Sequence, residues 1–341
     1  MQNRLSPGPL LNHKGELYEA GYATSLVRRY ERAAIKGGAA RIKEWDYYLI
    51  QNGRYGVALT IADNSYMGMI SVSFLDFEAK TEKTVSPMFW LPFGSTHFPA
   101  DSSGDVFKRI GNTTASFTNE NCGRWLLVHM DKFDGDQAFD CKILLSDPPQ
   151  DTMVIATPFS EKKTAFYYNQ KIIGMRASGS FTIGGVTRTF EPEDSFGMLD
   201  WGRGVWTYEN TWYWGAGQGI VDGHRFGFNI GYGFGDVSAA SENMLFVDGV
   251  HHKLDRLTFN IPLKDGKEDY LSPWTFSSND GRFETAFTPI LDRAAYTSVG
   301  PLLSDQHQVF GYMDGFVTLD DGSKLELKHF LCFAEKVHNK W

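Results

Sequence analysis

The sequence predicts an all-β protein of two barrel or sandwich modules with a short N-terminal helix. Three observations carry that expectation. First, two-residue turn signals recur between apolar runs: Asn52-Gly53, Asp134-Gly135, Gly184-Gly185, Asp222-Gly223, Asp248-Gly249, Asp314-Gly315 and Asp321-Gly322. Such pairs supply the positive φ angles of tight hairpins, and their repetition among alternating residues points to a sandwich or barrel. Second, 341 residues suggest two domains or one large β assembly, and the polar, proline-containing stretch Ser146-Asp147-Pro148-Pro149-Gln150 offers a junction. One module then covers residues 1–150 and the other 151–341. Third, one segment alone reads as a helix, Thr24 to Ala40. It carries Leu26, Val27, Tyr30, Ala33, Ala34 and Ile35, with Gly37-Gly38 as its stop.

Composition excludes several function classes. Hydrophobic residues make up 42% of the chain and aromatics 15%, enough for a packed core. The formal net charge of −8 is spread along the chain without a basic stripe, so nucleic acid is not an expected partner. An acidic surface has no standing attraction to anionic membranes. No run approaches the roughly 18–20 apolar residues of a membrane span. Met1 to Lys14 holds prolines and polar residues where a signal peptide needs an apolar run, so the expected compartment is the cytoplasm. The three cysteines, Cys122, Cys141 and Cys332, are odd in number and lack CxxC spacing. They read as free thiols in a reducing compartment rather than a disulfide framework or a zinc site. No GxSxG, HExxH, P-loop or dinucleotide fingerprint occurs, so neither a metal nor a nucleotide cofactor is expected.

The segment Thr211 to Asp236 carries the most structural information. If Asp222-Gly223 is a two-residue turn, Val221 opposes His224. Gly219, Gly217 and Gly215 then oppose Phe226, Phe228 and Ile230. On the other face Gln218 opposes Gly227, Ala216 opposes Asn229, Trp214 opposes Gly231 and Trp212 opposes Gly233. Nearly every bulky residue meets a glycine or alanine, which restores the packing that glycine loses in a strand. One face, with Phe226, Phe228, Ile230 and Tyr232, reads as core. The other presents Trp212, Trp214, Gln218 and Asn229, the mixture of aromatic walls and amides that ligand pockets use. Both faces packed between sheets would give the same pattern.

Just before this hairpin stands Phe196-Gly197-Met198-Leu199-Asp200-Trp201-Gly202-Arg203-Gly204-Val205-Trp206. Indole walls from Trp201 and Trp206 would desolvate Asp200 and suit it to act as a general acid. The bland alternative is a structural bridge between Asp200 and Arg203. After the hairpin, Asp236, Glu242 and Asn243 could join Asp200 at one rim and give paired carboxylates, although capping a turn is the commoner role for Asp236. Tyr208 lies between the two segments as a further wall residue. Lys43-Glu44-Trp45-Asp46-Tyr47-Tyr48 reads as a strand with Trp45 and Tyr47 in the core and the charged Glu44 and Asp46 at the rim.

The stretches Arg41 to Tyr48, Asp200-Trp201-Gly202-Arg203-Gly204 and Gly231-Tyr232-Gly233-Phe234-Gly235-Asp236 resemble a bacterial family of unknown function, along almost the whole chain. That family is distantly similar to the lipocalin-like superfamily of hydroxyneurosporene synthase, a carotenoid 1,2-hydratase, and related cyclases. The resemblance implies two lipocalin-like, calycin-type β modules around a ligand cavity. It also sets Asp200 beside the aspartate of a Trp-x-Asp-His-x-x-Gly-like element. Met198 stands where that element has tryptophan, and Trp201 where it has histidine.

The expected function is a hydratase, dehydratase, isomerase or cyclase using acid-base chemistry on a small, partly apolar ligand. Asp200, Arg203 and Glu242 would be the catalytic groups. Trp201, Trp206, Tyr208, Trp212, Trp214, Gln218, Asn229, Asp236 and Asn243 would bind substrate. Two alternatives remain at this point: a carbohydrate-active enzyme working with paired carboxylates on a sugar-like ligand, and a non-catalytic binder of a lipid or pigment.

Overall fold

The computed structural model describes residues 2–341. Its strands form two large sheets. The first contains the strands between Gly21 and Val205 other than Arg28–Arg29, and the second those between Glu209 and Lys340 other than the small separate pair Leu263–Lys264 and Lys267–Glu268. Neighbouring strands pair antiparallel in both. In the first sheet the Ile42–Gln51 strand pairs with Phe196–Val205, which pairs with Lys162–Ile183. In the second, Glu209–Val221 lies between His224–Tyr232 and Lys324–Lys340. Each sheet curls on itself in a lipocalin-like manner, as strongly twisted antiparallel sheets do.

The chain crosses between the sheets at residues 206–208. Ser146 to Gln150 instead joins two stretches of the first sheet, because the strands beyond it return to pair with Lys162–Ile183. The expected helix at 24–40 does not form. The structure has two three-residue 3-10 turns there, Arg32–Ala34 and Ala39–Arg41. Tertiary bonds hold the chain extended instead. Arg28 and Arg29 pair with Gly8 and Pro9, and the buried Arg28 guanidinium donates to Pro9 O at 3.2 Å and Ser6 Oγ at 2.9 Å. Tyr168 Oη donates to Arg28 O at 2.8 Å. The apolar residues that mimicked a helical face, Leu26, Val27, Ala34 and Ile35, still pack against the core, Leu26 and Val27 from the irregular chain before Arg28 and Ala34 and Ile35 from the end of the first turn.

The hairpin register is the one expected, from Val221 opposite His224 to Trp214 opposite Gly231. Asp222 and Gly223 have φ of 50° and 84°, as a tight turn of mirror-image type requires. Asp314-Gly315 is not a turn. It sits at a register shift in the long Leu302–Thr318 strand. Phe226, Phe228 and Ile230 fill the core enclosed by the second sheet. The other large core includes residues of both sheets, so the sheets also pack face to face, with Phe77 and Phe310 rings 5.5 Å apart. Among the described residues no helix is long and apolar enough to cross a membrane.

Candidate functional site

Cross-strand partners share a face. Asp200 is partnered by Lys171 on one side and Tyr47 on the other, so the three project together. Facing them from the second sheet are Trp214, its cross-strand partner Glu335, and Gln308 opposite Glu335. The two faces meet in a buried polar cluster. Lys171 Nζ lies 3.0 Å from Asp200 Oδ1, and Asn169 Nδ2 donates to the same oxygen at 2.6 Å. The Lys171 ammonium also sits 3.8 Å from the centre of the Trp214 ring, a cation-π contact across the sheets. Trp214 Nε1 donates to Asn229 Oδ1 at 2.7 Å, and Asn229 Nδ2 donates to Glu242 Oε2 at 3.1 Å. Trp212 Nε1 and Gln308 Nε2 donate to the two oxygens of Glu335, at 3.0 and 3.2 Å.

Local sequence explains why these groups converge. Gly231 leaves room for Glu242, since a Cβ there would lie 2.7 Å from Glu242 Oε1. The buried Asn243 holds that loop by accepting from Gly231 N at 2.6 Å and donating to Asp255 O at 2.7 Å. Gly202 leaves room for the indole of Trp45. Trp45 in turn stacks on Tyr167 at 6.2 Å and meets Trp206 at 5.5 Å. Trp206 continues to Trp212 at 5.6 Å and Phe234 at 4.7 Å. The charged cluster therefore has an aromatic wall along one side.

The carboxylates are not equivalent. Asp200 has a cation at salt-bridge distance. Glu335 is 5% exposed, and burial pushes its carboxyl up to about 7 against the Trp212 hydrogen bond and the attraction of Lys171. Burial also raises Glu242, opposed by Lys171 and the Asn229 hydrogen bond. Burial pushes the Tyr167 phenol well above its ordinary value, with Glu242, Asp200 and Glu335 acting in the same direction. A carboxylate beside a fixed cation, with a second carboxyl that keeps its proton near neutrality, is an arrangement that can give and take protons.

Of the residues singled out from sequence, Asp200, Glu242, Trp212, Trp214 and Asn229 belong to this cluster, and Trp206 to its aromatic wall. Arg203 and Trp201 do not. They lie on the opposite face of the strand, inside the curl of the first sheet. There Arg203 pairs with Asp46 at 3.1 Å and lies 4.2 Å from the Trp201 ring. The expected bridge between Asp200 and Arg203 is replaced by two separate pairs. Glu44 and Asp46, expected at a rim, are 1% and 3% exposed in that interior, and burial raises both. Tyr208 is at the surface and donates to Pro301 O at 2.5 Å. Asp236 is exposed and accepts from Ser238 N at 2.9 Å, a turn cap. Gln218 ties the sheets together, accepting from Gly174 N at 3.0 Å and donating to Leu49 O at 3.2 Å. Asp200 itself is packed, 6% exposed. It lines neither of two concavities on the molecule, of about 490 and 660 Å³.

The sequence reading missed Asn169, Lys171, Gln308 and Glu335. Glu335 follows the apolar run Phe330-Leu331-Cys332-Phe333-Ala334, and a charge placed there is a signal that could have exposed it. Asn169 and Lys171 lie in the polar triplet Asn169-Gln170-Lys171 and Gln308 ends the polar stretch from Ser304, so they carry no such local signal. Among the described residues no group of three or more His, Cys, Asp or Glu side chains is placed to hold a metal ion.

In comparisons with known proteins, no curated protein matches the chain. Among solved structures, a Nitrosomonas europaea protein assigned as AttH aligns with a TM-score of 0.54 at 13% identity, over 87% of this chain and 92% of that one. This likeness supports the fold. Kievitone hydratase from Nectria haematococca aligns at 0.46, with 11% identity over 88% of each chain. CghA with Sch210972 aligns at 0.45, with 9% identity over 97% of each. A family model described as a domain of unknown function, DUF2804, matches residues 2–341.

Proposed function

The chain belongs to the DUF2804 family, and we propose that it is an enzyme that moves protons on a small, partly apolar substrate, as in hydration, dehydration, isomerisation or cyclisation. One observation carries the proposal. The inter-sheet cluster places Glu335, raised to about 7, in the same buried network as Asp200, which is held by Lys171. In this reading Glu335 is the proton donor. Asp200 provides negative charge near the reacting carbon, and Lys171 fixes its position. The indoles of Trp212 and Trp214 favour developing positive charge, as aromatic faces do. Arg203 has no part in the step, because it faces the other side of the sheet. The substrate enters by displacing side chains on the side of the half-buried Glu242 and Trp212. The free thiols of Cys122, Cys141 and Cys332 suit a reducing compartment, and the proposed location is the cytoplasm.

The test is proton exchange. The protein in D2O is offered a panel of apolar alkenes, allylic alcohols and conjugated carbonyls, and deuterium uptake is read by mass spectrometry. The proposal expects uptake into at least one class, reduced roughly 10²–10⁴-fold in Glu335→Gln. Background uptake across the panel, or full activity in a folded Glu335→Gln variant, contradicts it. The carboxylates Asp200, Glu242 and Glu335 in one cluster with tryptophan faces also support a second reading, glycoside hydrolysis through paired carboxylates. Release of aryl alcohol from aryl glycosides in place of deuterium uptake would select it.

A further inference from the structure

We propose that Arg293 is a positioning residue, one that orients the Gln308 amide so that the Glu335 carboxyl meets an N–H donor there and its own proton is left for the substrate. The inference rests on the reading of Glu335 as the proton donor. Three adjacent strands set the row. Arg293 of Phe283–Val299 is the cross-strand partner of Gln308 in Leu302–Thr318, and Gln308 is the partner of Glu335 in Lys324–Lys340. The three side chains therefore share one face of the second sheet, the face turned toward the first.

A bulge brings the arginine into that row. Pro289 pairs with Gly311 but Leu291 with Phe310, so Ile290 is one residue extra. Without it the pairing would continue with Asp292 opposite Gln308. Bulges re-aim side chains in this way. The exchange matters because a carboxylate only accepts and would draw the amino group of Gln308, whereas a guanidinium only donates and draws its carbonyl.

Arg293 Nη1 donates to Gln308 Oε1 at 2.8 Å, and Arg293 Nε donates to Thr84 Oγ1 of the first sheet at 3.3 Å. With its carbonyl held by Arg293, Gln308 turns its amino group the other way, donating to Glu335 Oε2 at 3.2 Å and to Tyr47 Oη at 3.4 Å. Gln308 is 1% exposed, so bulk water does not compete for the amide. The other oxygen of Glu335 accepts from Trp212 Nε1, and an indole nitrogen is a donor only. When Glu335 holds a proton, neither of these partners can accept it. Without Arg293 the amide is free to turn over. Its carbonyl would then accept the Glu335 O–H, stabilise the acid and engage the proton that the substrate needs.

The test is a double-mutant cycle in the full chain, with Arg293→Met, Gln308→Met and both together, read by carbon-13 NMR titration of the Glu335 carboxyl. Lys171, Asp200, Tyr47 and Tyr167 face Glu335 from the first sheet, and Glu242 lies beyond Asn229; the variants leave all of these in place. Arg293→Met should move the Glu335 midpoint up by about one pH unit, and Arg293→Lys, which also only donates, should restore it. In the Gln308→Met chain the same Arg293→Met change should produce less than about half of that movement, because no amide is left to turn. Equal movement in both backgrounds means that Arg293 acts through its charge alone and overturns the inference, as does no movement in Arg293→Met. A parent Glu335 that titrates near about 4.3 refutes the proton-donor reading separately, since the cycle still measures the coupling. On a substrate found by deuterium uptake, Arg293→Met should lower kcat about tenfold with KM unchanged, and an unchanged kcat contradicts the positioning role.

Discussion

Replacing Lys171 by Met removes the cation from the centre of the inter-sheet cluster. The side chains of Lys171 and Asp200 are 3% and 9% exposed, and their charged atoms are 3.0 Å apart. At an effective dielectric constant of about 20, two unit charges at that distance attract by about 5 kcal/mol. Burial of both ions offsets most of that gain, so the intact pair adds little net stability. Losing one partner is different, because Asp200, Glu242 and Glu335 then share a dry space with no lysine between them. Lys171→Met should cost about 3–5 kcal/mol, the range for an orphaned buried charge. Removing the matching carboxylate should recover much of this, so Lys171→Met/Asp200→Asn should lie within about 2 kcal/mol of the parent. Urea unfolding at pH 7 measures the change through the midpoint at constant m-value. A Lys171→Met cost below about 1 kcal/mol, or a double variant less stable than the single one, would refute the pairing.

Three further outcomes follow from the same geometry. Glu335 has its folded pKa raised from 4.5 to about 7, so the folded state holds a proton that the unfolded state has released. Its contribution is complete below about pH 4.5 and is lost as pH rises through about 7. Glu335→Gln should remove that slope and raise stability at pH 8 by up to about 3 kcal/mol in pH-dependent unfolding. Gly202→Ala places a Cβ against the Trp45 indole and should cost about 1–3 kcal/mol, with Trp45→Leu in the same chain relieving most of it; equal costs with and without Trp45 would contradict the contact. Thiol labelling should find one reactive cysteine, the exposed Cys122, in the native protein and three after unfolding. Burial pushes the thiol of Cys141 up to about 12 and that of Cys332 well above its ordinary value, so rapid native labelling of either would argue against the packing around it.

Local chemistry made some of this structure legible and left the rest hidden. The hairpin register followed from one turn assignment, because Asp222-Gly223 fixes which residues oppose each other and a slip by one would reverse both faces. Trp212, Trp214 and Asn229 therefore shared a face in the sequence reading as they do in the fold. Asp200 and Arg203 were read as neighbours because three nearby glycines, Gly197, Gly202 and Gly204, suggested a tight corner. The segment is a straight buried strand, where residues three apart point to opposite faces. Lys171 and Glu335 could not be placed at all, since their position depends on which distant strands pair and on how the two sheets meet. The N-terminal helix failed for a related reason, as contacts of Arg28 with Ser6, Pro9 and Tyr168 outweigh a weak local preference.

The central claim is that a protonated carboxylic acid is held beside an ion-paired carboxylate between the two sheets. Carbon-13 NMR titration of the glutamate side-chain carboxyls tests it directly, with Glu335→Gln as the assignment control. The account expects one carboxyl signal with a midpoint near 7 that disappears in the variant. If every glutamate instead titrates near the ordinary value of about 4.3, Glu335 is ionised at neutral pH, it cannot serve as the proton donor, and the proposed acid-base role fails.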